Sequence, residues 1–273
     1  MSIICDYHMH TYLCKHATGS PQEYLNEAHK KGLETIGFSD HCPVPVGFDT
    51  TSRMNISQFD KYVDMIRKLK NNPYGIEVLF GMEVDWVPGR MEEVYTFLDS
   101  IEYNYLIGSV HYVDDIPFDS PDYLDIWSSV EKTEHIWNRY IELMTDMVSS
   151  GKFDIAGHMD LPKKFGFYPE NMTSFLEKAD TFFARAAEFD VAVELNTAGL
   201  RKPVKEIYPS LDLLRIAKKH NVKITFGSDS HAPDEVGSCF KEAENLAQCA
   251  GYTEYQRIGK NGIKKTIQLL DRN

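Results

Sequence analysis

Long apolar runs are absent: no segment of the 273 residues approaches the ~20 consecutive apolar positions that a membrane-spanning helix needs. No membrane role is therefore expected. The start, Met1-Ser2-Ile3-Ile4-Cys5-Asp6, has neither a basic region nor a long apolar core, so no signal peptide is expected. Cysteine is scarce and scattered, with Cys5, Cys14, Cys42, Cys239 and Cys249 forming an odd set that holds no CxxC pair. That pattern excludes a disulfide framework and points to a reducing, cytoplasmic setting. Basic residues are in deficit, 29 against 41 acidic, for a net charge of −12. Such a balance argues against a broad basic face that grips nucleic acid. It leaves room for one anionic substrate held in a locally positive pocket. Linkers, low-complexity tracts and internal repeats are also missing, so residues 1–273 read as one domain. At 42% hydrophobic and 26% charged, the chain has the composition of an ordinary globular protein with a sizeable core.

What is present is an alternation of short apolar runs with longer amphipathic stretches. Strands are expected at 3–10, 35–39, 77–84, 105–112, 153–158, 192–196 and 223–227. Helices are expected near 21–31, 57–70, 89–99, 128–150, 173–189, 209–220 and 235–249, with a last one near 261–270. Pro21 behind Ser20 suits a helix start, and Gly32 and Gly151 sit where helices should stop. Seven strand–helix units with nearly continuous apolar strands imply a parallel α/β sheet covered on both faces. An open doubly wound sheet and a closed barrel compete. The barrel is favoured because unusual polar residues stand at the C-terminal end of almost every strand, and only closure brings all those ends to one mouth.

Those strand ends read His8-Met9-His10, Asp40-His41, Glu83-Val84-Asp85, Ser109-Val110-His111, Gly157-His158 and Ser228-Asp229-Ser230-His231, with His16 in the first loop. Residues i and i+2 of a strand point to one side, so His8 and His10 project together. Any one of these residues is as readily a cap or a satisfied core group; the series is not. Seven of the ten histidines fall at strand ends or just beyond, while His29, His135 and His220 lie in helices and read as structural or exposed. Nitrogen and oxygen donors without thiolates suit hydrolytic ions such as Zn, Mn or Fe. Cys14 and Cys42, beside these donors, read as small core residues. Seven histidines with Glu83 and Asp229 exceed what one ion uses, so two or three ions are implied, and a carboxylate such as Glu83 can bridge two of them.

In this order the motifs resemble those of the polymerase-and-histidinol-phosphatase (PHP) superfamily, across nearly the whole chain. The resemblance implies a single distorted (β/α)7 TIM-like barrel with its active site at the C-terminal ends of the strands, holding three divalent ions (Zn, Mn and/or Fe). It implies that His8, His10, Glu83 and Asp229 hold one ion, Glu83, His111 and His158 the second, and His16, His41 and His231 the third. Within the superfamily, Asn196-Thr197-Ala198-Gly199-Leu200-Arg201-Lys202-Pro203, with Tyr208-Pro209-Ser210 and Gly108-Ser109-Val110-His111-Tyr112-Val113-Asp114, looks like the stand-alone histidinol-phosphate phosphatases of histidine biosynthesis.

Two ions sharing Glu83 would supply hydroxide to attack phosphorus, which makes the expected enzyme a phosphomonoesterase releasing L-histidinol and phosphate. Arg201 is expected as a catalytic guanidinium clamp on phosphate, with Lys163 and Lys164 approaching the same mouth. Asp229 or His231, or a water on the third ion, is expected to protonate the leaving group. The acidic stretch 113–127 carries Asp114, Asp115 and Asp119 beside Phe118, Tyr123 and Trp127. It is expected to be a lid whose carboxylates meet an ammonium or imidazolium group while its aromatics cover the ring. The competing readings are a PHP phosphoesterase for another small monoester (nucleotide, sugar phosphate or phosphotyrosine) and a non-catalytic metal-binding module. The pattern leaves oligomeric state open.

Overall fold

The computed structural model describes residues 2–269. In chain order its strands are β1 (Cys5–Asp6), β2 (Thr35–Phe38), β3 (Glu77–Asp85), β4 (Tyr105–Ser109), β5 (Tyr112–Val113), β6 (Ile116–Pro117), β7 (Ile155–Ala156), β8 (Ala192–Asn196), β9 (Ile224–Gly227), β10 (Glu254–Ile258) and β11 (Lys264–Gln268). Seven of them form one parallel sheet in the order β1-β2-β3-β4-β7-β8-β9. The sheet curls until its ends nearly meet: a parallel bridge joins Met9 to Ser230, and His10 N donates to Ser230 O at 2.9 Å. The expected seven-stranded barrel is therefore the fold. Helices α1 (Pro21–Lys30), α2 (Phe59–Leu69), α3 (Met91–Leu98), α4 (Val130–Ser149), α5 (Met172–Glu188), α6 (Leu211–Lys219) and α7 (Phe240–Cys249) surround it. None is long and apolar enough to cross a membrane.

Local chemistry explains the boundaries. Helix α1 starts with a capping box in which Ser20 and Glu23 satisfy each other's backbone, and Pro21 fills its first turn. Helix α7 starts later than the expected 235, because a short 3-10 turn at Pro233–Glu235 is followed by left-handed Gly237 and Cys239. Strand β1 pairs over two residues instead of 3–10. The Asp6 carboxylate accepts from the backbone N–H groups of His8, Ser228 and Gly237 at 3.3, 2.9 and 2.8 Å, so a side chain replaces the ladder there.

The helix expected near 261–270 is not formed; its last position lies outside the described residues. The segment is strand β11, paired antiparallel with β10 from Glu254↔Gln268 to Ile258↔Lys264. Asn261-Gly262, both at positive φ, turns the chain, a hairpin signal that outranks the helical spacing. The hairpin is stitched to β1 and the residues around it. Tyr255 Oη accepts from Ile4 N at 3.1 Å and donates to Ser2 O at 3.0 Å, and Ile258 N donates to Tyr7 Oη at 2.7 Å.

Tyr255→Phe should therefore lower stability by about 1–3 kcal/mol in urea unfolding, since it strands a backbone donor in a buried place. Turnover by the folded fraction should not change.

Candidate metal centre

The strand ends deliver the expected residues to one place. The Glu83 carboxylate lies 3.4 Å from His8 Nε2, 3.6 Å from His10 Nε2, 3.0 Å from His41 Nδ1, 3.6 Å from His111 Nε2 and 3.0 Å from His158 Nε2. Asp229 Oδ1 closes the other side, 3.3 Å from His10 Nε2 and 3.8 Å from His8 Nε2. His231 stacks on His10 at 4.1 Å between ring centroids and on His16 at 4.6 Å. Three side chains able to converge on one ion recur in this cluster: His8, His10 and Asp229; His41, Glu83 and His111; His10, His41 and His231; Cys14, His16 and His231. Cys14 therefore comes closer to the donors than expected, although burial pushes its thiol up to about 12 and keeps it protonated.

Whether these residues fit metal ions is tested by their unsatisfied atoms. His8 Nε2, both nitrogens of His10 and His231 Nε2 are buried without a hydrogen-bond partner. Buried polar atoms normally have partners, so a row of orphaned imidazole nitrogens facing carboxylates fits a set of metal ligands. The rings are also oriented from behind. His8 Nδ1 donates to Glu194 Oε1 at 2.8 Å, His111 Nδ1 to Asp85 Oδ1 at 2.8 Å, and His16 Nδ1 to Cys14 O at 2.8 Å, which leaves Nε2 free in each case. Gly227 makes the first of these possible. A Cβ there would lie 1.9 Å from Glu194 Oε1 and 2.8 Å from His8 Cβ. His158 and Asp229 hold positive φ of 21° and 51°, conformations that the surrounding packing imposes.

The electrostatics follow from this crowding. Burial opposes a charged Glu83, but His8, His41 and His111 outweigh it and hold the carboxyl well below its usual range. Asp229 is held down likewise against burial, chiefly by His8 and His10. Burial lowers His16 to about 4, with His41 and His10 adding to the effect. For His10 and His111, burial is outweighed by neighbouring carboxylates, which lift them to about 9 and about 10.

Beside the cluster opens a cavity of about 740 Å³, and it sorts the remaining expected residues. Lys164, Asp115 and Asp119 line it; Arg201, Lys163 and Asp114 do not. Arg201 is turned onto Glu235 at 3.0 Å, Ser238 Oγ at 2.9 Å and the carbonyls of Ser228 and Asp229 at 2.7 and 3.1 Å. It braces the turn that carries Asp229 and is not placed as a phosphate clamp. Lys163 is buried on Asp160 at 2.8 Å and Ile207 O at 2.8 Å. Asp114 pairs outward with His135 at 2.6 Å, as one of two left-handed residues in the β5–β6 turn. Phe118 and Trp127 of the expected lid are buried and pack as core anchors, which leaves Tyr123 on the cavity.

Sequence reasoning missed several residues. Asp85 and Glu194 orient ligand histidines, and the i, i+2 rule that pairs His8 with His10 also pairs Asp85 with Glu83. Arg53 and Asp49 line the cavity without a motif to mark them, and Lys202, Tyr208 and Asp122 line it from stretches the sequence marked without singling them out.

A parallel β/α barrel whose strand ends gather imidazoles around a shared carboxylate, beside an open cavity, has the architecture of a metal-dependent hydrolase. Comparison with known proteins narrows this. Residues 6–198 match the PHP domain family, and residues 213–246 match the PHP-associated family. A Deinococcus radiodurans protein described as a probable histidinol-phosphatase is 37% identical over 244 residues, covering 89% of this chain and 92% of that one. The Bacillus subtilis histidinol-phosphatase is 29% identical, covering 86% of this chain and 96% of that one. The crystal structure of the Lactococcus lactis histidinol phosphate phosphatase, complexed with Zn, L-histidinol and phosphate, superposes with a TM-score of 0.79 at 23% identity, covering 96% of this chain and 98% of that one. The chain belongs to the PHP domain family.

Two measurements test the centre. Gly227→Ala should displace Glu194 from His8 and lower bound zinc by about 10–100-fold in affinity, the usual effect of disturbing a ligand's hydrogen-bond partner. Zinc binding to the metal-stripped protein at pH 7 should release protons, because His10 and His111 are protonated below about 9 and about 10 and must be neutral to bind an ion. Calorimetry in buffers of different ionisation enthalpy reads this directly.

Proposed function

We propose that the chain is a metal-dependent phosphomonoesterase that hydrolyses L-histidinol phosphate to L-histidinol and phosphate, a step of histidine biosynthesis. The observation that carries this reading is one cavity lined by two unlike sets of side chains. One is the histidine–carboxylate cluster; the other is Asp49, Asp115 and Asp122 with Tyr112 and Tyr123. A substrate that joins a phosphate to an amine and an imidazole matches that lining. The histidinol-phosphatase relatives, and the histidinol and phosphate held by the Lactococcus protein, support the same substrate.

The nine residues His8, His10, His16, His41, Glu83, His111, His158, Asp229 and His231 would hold three divalent ions, Zn, Mn or Fe by donor type. Bound there, such ions lower the pKa of water and neutralise charge on the phosphoryl group. The chain's own residues do the rest. Glu83 turns its two oxygens to different histidines and would be shared between ions held by them. Asn196 Nδ2 donates to Asp229 Oδ2 at 3.3 Å and leaves Oδ1 facing His8 and His10. Neither residue expected to be the acid arrives with a proton. Asp229 is held ionised, and burial together with His10 keeps His231 neutral. Asp229 stands as a carboxylate able to accept a hydrogen bond from the attacking water and orient it. Lys202 replaces Arg201 as the cation for phosphate. It lines the cavity, and among the described residues no carboxylate pairs with it, whereas Lys164 is paired with Asp119 at 2.9 Å.

The test is kcat/KM on histidinol phosphate beside p-nitrophenyl phosphate, a nucleotide and a sugar phosphate, using protein of known metal content. Histidinol phosphate should lead the panel. Asp115→Asn with Asp122→Asn should raise its KM about 10-fold or more, by the usual strength of charge-assisted contacts, and leave p-nitrophenyl phosphate unchanged. Equal turnover across the panel would sink the substrate reading.

A further inference from the structure

We infer that the Tyr208 hydroxyl donates a hydrogen bond to a non-bridging oxygen of the substrate's phosphoryl group, an inference that rests on the centre being a phosphomonoesterase. The buried polar atoms on cavity-lining side chains that lack a partner are His41 Nδ1, His158 Nδ1, His231 Nε2, Arg53 Nε and Tyr208 Oη. The histidines belong to the ligand set. Arg53 is already turned onto Asp85 at 2.8 Å and Cys42 O at 3.1 Å. Tyr208 is left as the neutral donor with nothing in the chain to receive its proton.

Everything else about Tyr208 is fixed. Its backbone is bonded both ways to the end of β8, with Asn196 N donating to Tyr208 O at 2.7 Å and Tyr208 N to Asn196 O at 3.0 Å. Asn196 is also the residue that holds Asp229, so the ring is anchored beside the centre. Its ring meets that of His158 in a T-shaped contact, 6.4 Å between centroids at 74°. Lys163 Nζ lies 5.3 Å from the ring centroid. Gly199 lets the loop close over the ring, because a Cβ there would lie 1.9 Å from Glu206 O and 2.9 Å from Tyr208 Cε2. The ring is 1% exposed. A fold that pins a phenol this firmly and leaves its hydroxyl unpartnered keeps a destabilising group, which becomes favourable only when an acceptor enters the cavity. A phenol remains protonated at neutral pH and can only donate to an anion. Charge on the equatorial phosphoryl oxygens grows as the bond to the leaving group breaks, so the contact strengthens towards the transition state.

Tyr208→Phe tests this by steady-state kinetics on histidinol phosphate and p-nitrophenyl phosphate, inhibition by inorganic phosphate, metal analysis and thermal unfolding. The expected result is a loss of about 10–100-fold in kcat/KM on both substrates, with weaker phosphate inhibition, unchanged metal content and no fall in Tm. The Tm reading separates the proposal from a structural role, since removing a hydroxyl that has no partner breaks no bond in the free protein. Three results would each overturn the proposal: unchanged kinetics and inhibition, a loss confined to histidinol phosphate, or loss of metal with a lower Tm. Wild-type protein that cleaves p-nitrophenyl phosphate but not histidinol phosphate would instead overturn the substrate reading, and the p-nitrophenyl phosphate arm would still decide the role of Tyr208.

Discussion

One buried carboxylate organises this protein. Glu83 stands on the longest strand of the barrel and faces five imidazole nitrogens from four other strand ends. A charge so deeply buried is costly unless it is compensated, and here the compensation must come from cations. Protonated histidines provide it in the metal-free chain, where His8, His10 and His111 are held charged. Divalent ions can provide it in their place. The strand ends that carry these histidines converge on that carboxylate, and the cavity opens beside it.

Around the cluster runs a second ring of groups that decides which nitrogen each histidine offers. Asp85 holds His111 and Glu194 holds His8. Arg53 in turn holds Asp85, so the orientation of His111 is set two contacts away from the centre. In the cavity wall Arg53 and Lys164 are paired with carboxylates, while Lys202, Asp115 and Asp122 are left to meet a ligand.

The barrel and the cluster were legible in the sequence because both depend on residue type at a repeated place. Short apolar runs ending in histidine or a carboxylate read the same way whatever follows them. The cavity wall was not legible, because it depends on which way neighbouring residues face. Lys163 and Lys164 are adjacent on a 3-10 turn, where successive side chains differ by about 120°; one is buried and the other lines the cavity. Arg201 and Lys202 divide in the same manner at the end of another 3-10 turn. In both pairs backbone geometry sends one side chain to the cavity and turns its neighbour away. The last strand differs from the expected helix for another reason: Asn261-Gly262, both at positive φ, turns the chain into a hairpin that the spacing of 261–270 alone does not reveal.

The meeting of the first and last barrel strands has a consequence for how the molecule comes apart. Around most of the barrel, strands are joined by runs of paired residues, but around the ends of β1 and β9 the closure rests on the bridge between Met9 and Ser230 and on three backbone hydrogen bonds, Tyr7 N to Phe226 O at 3.3 Å, His10 N to Ser230 O at 2.9 Å and Ser230 N to His8 O at 3.0 Å. His8 and His10 lie on one side of that seam and Asp229 on the other. An ion shared by the three would rivet that seam, joining residues far apart in the chain and binding the folded form alone, so its release would loosen the barrel at the place where it closes.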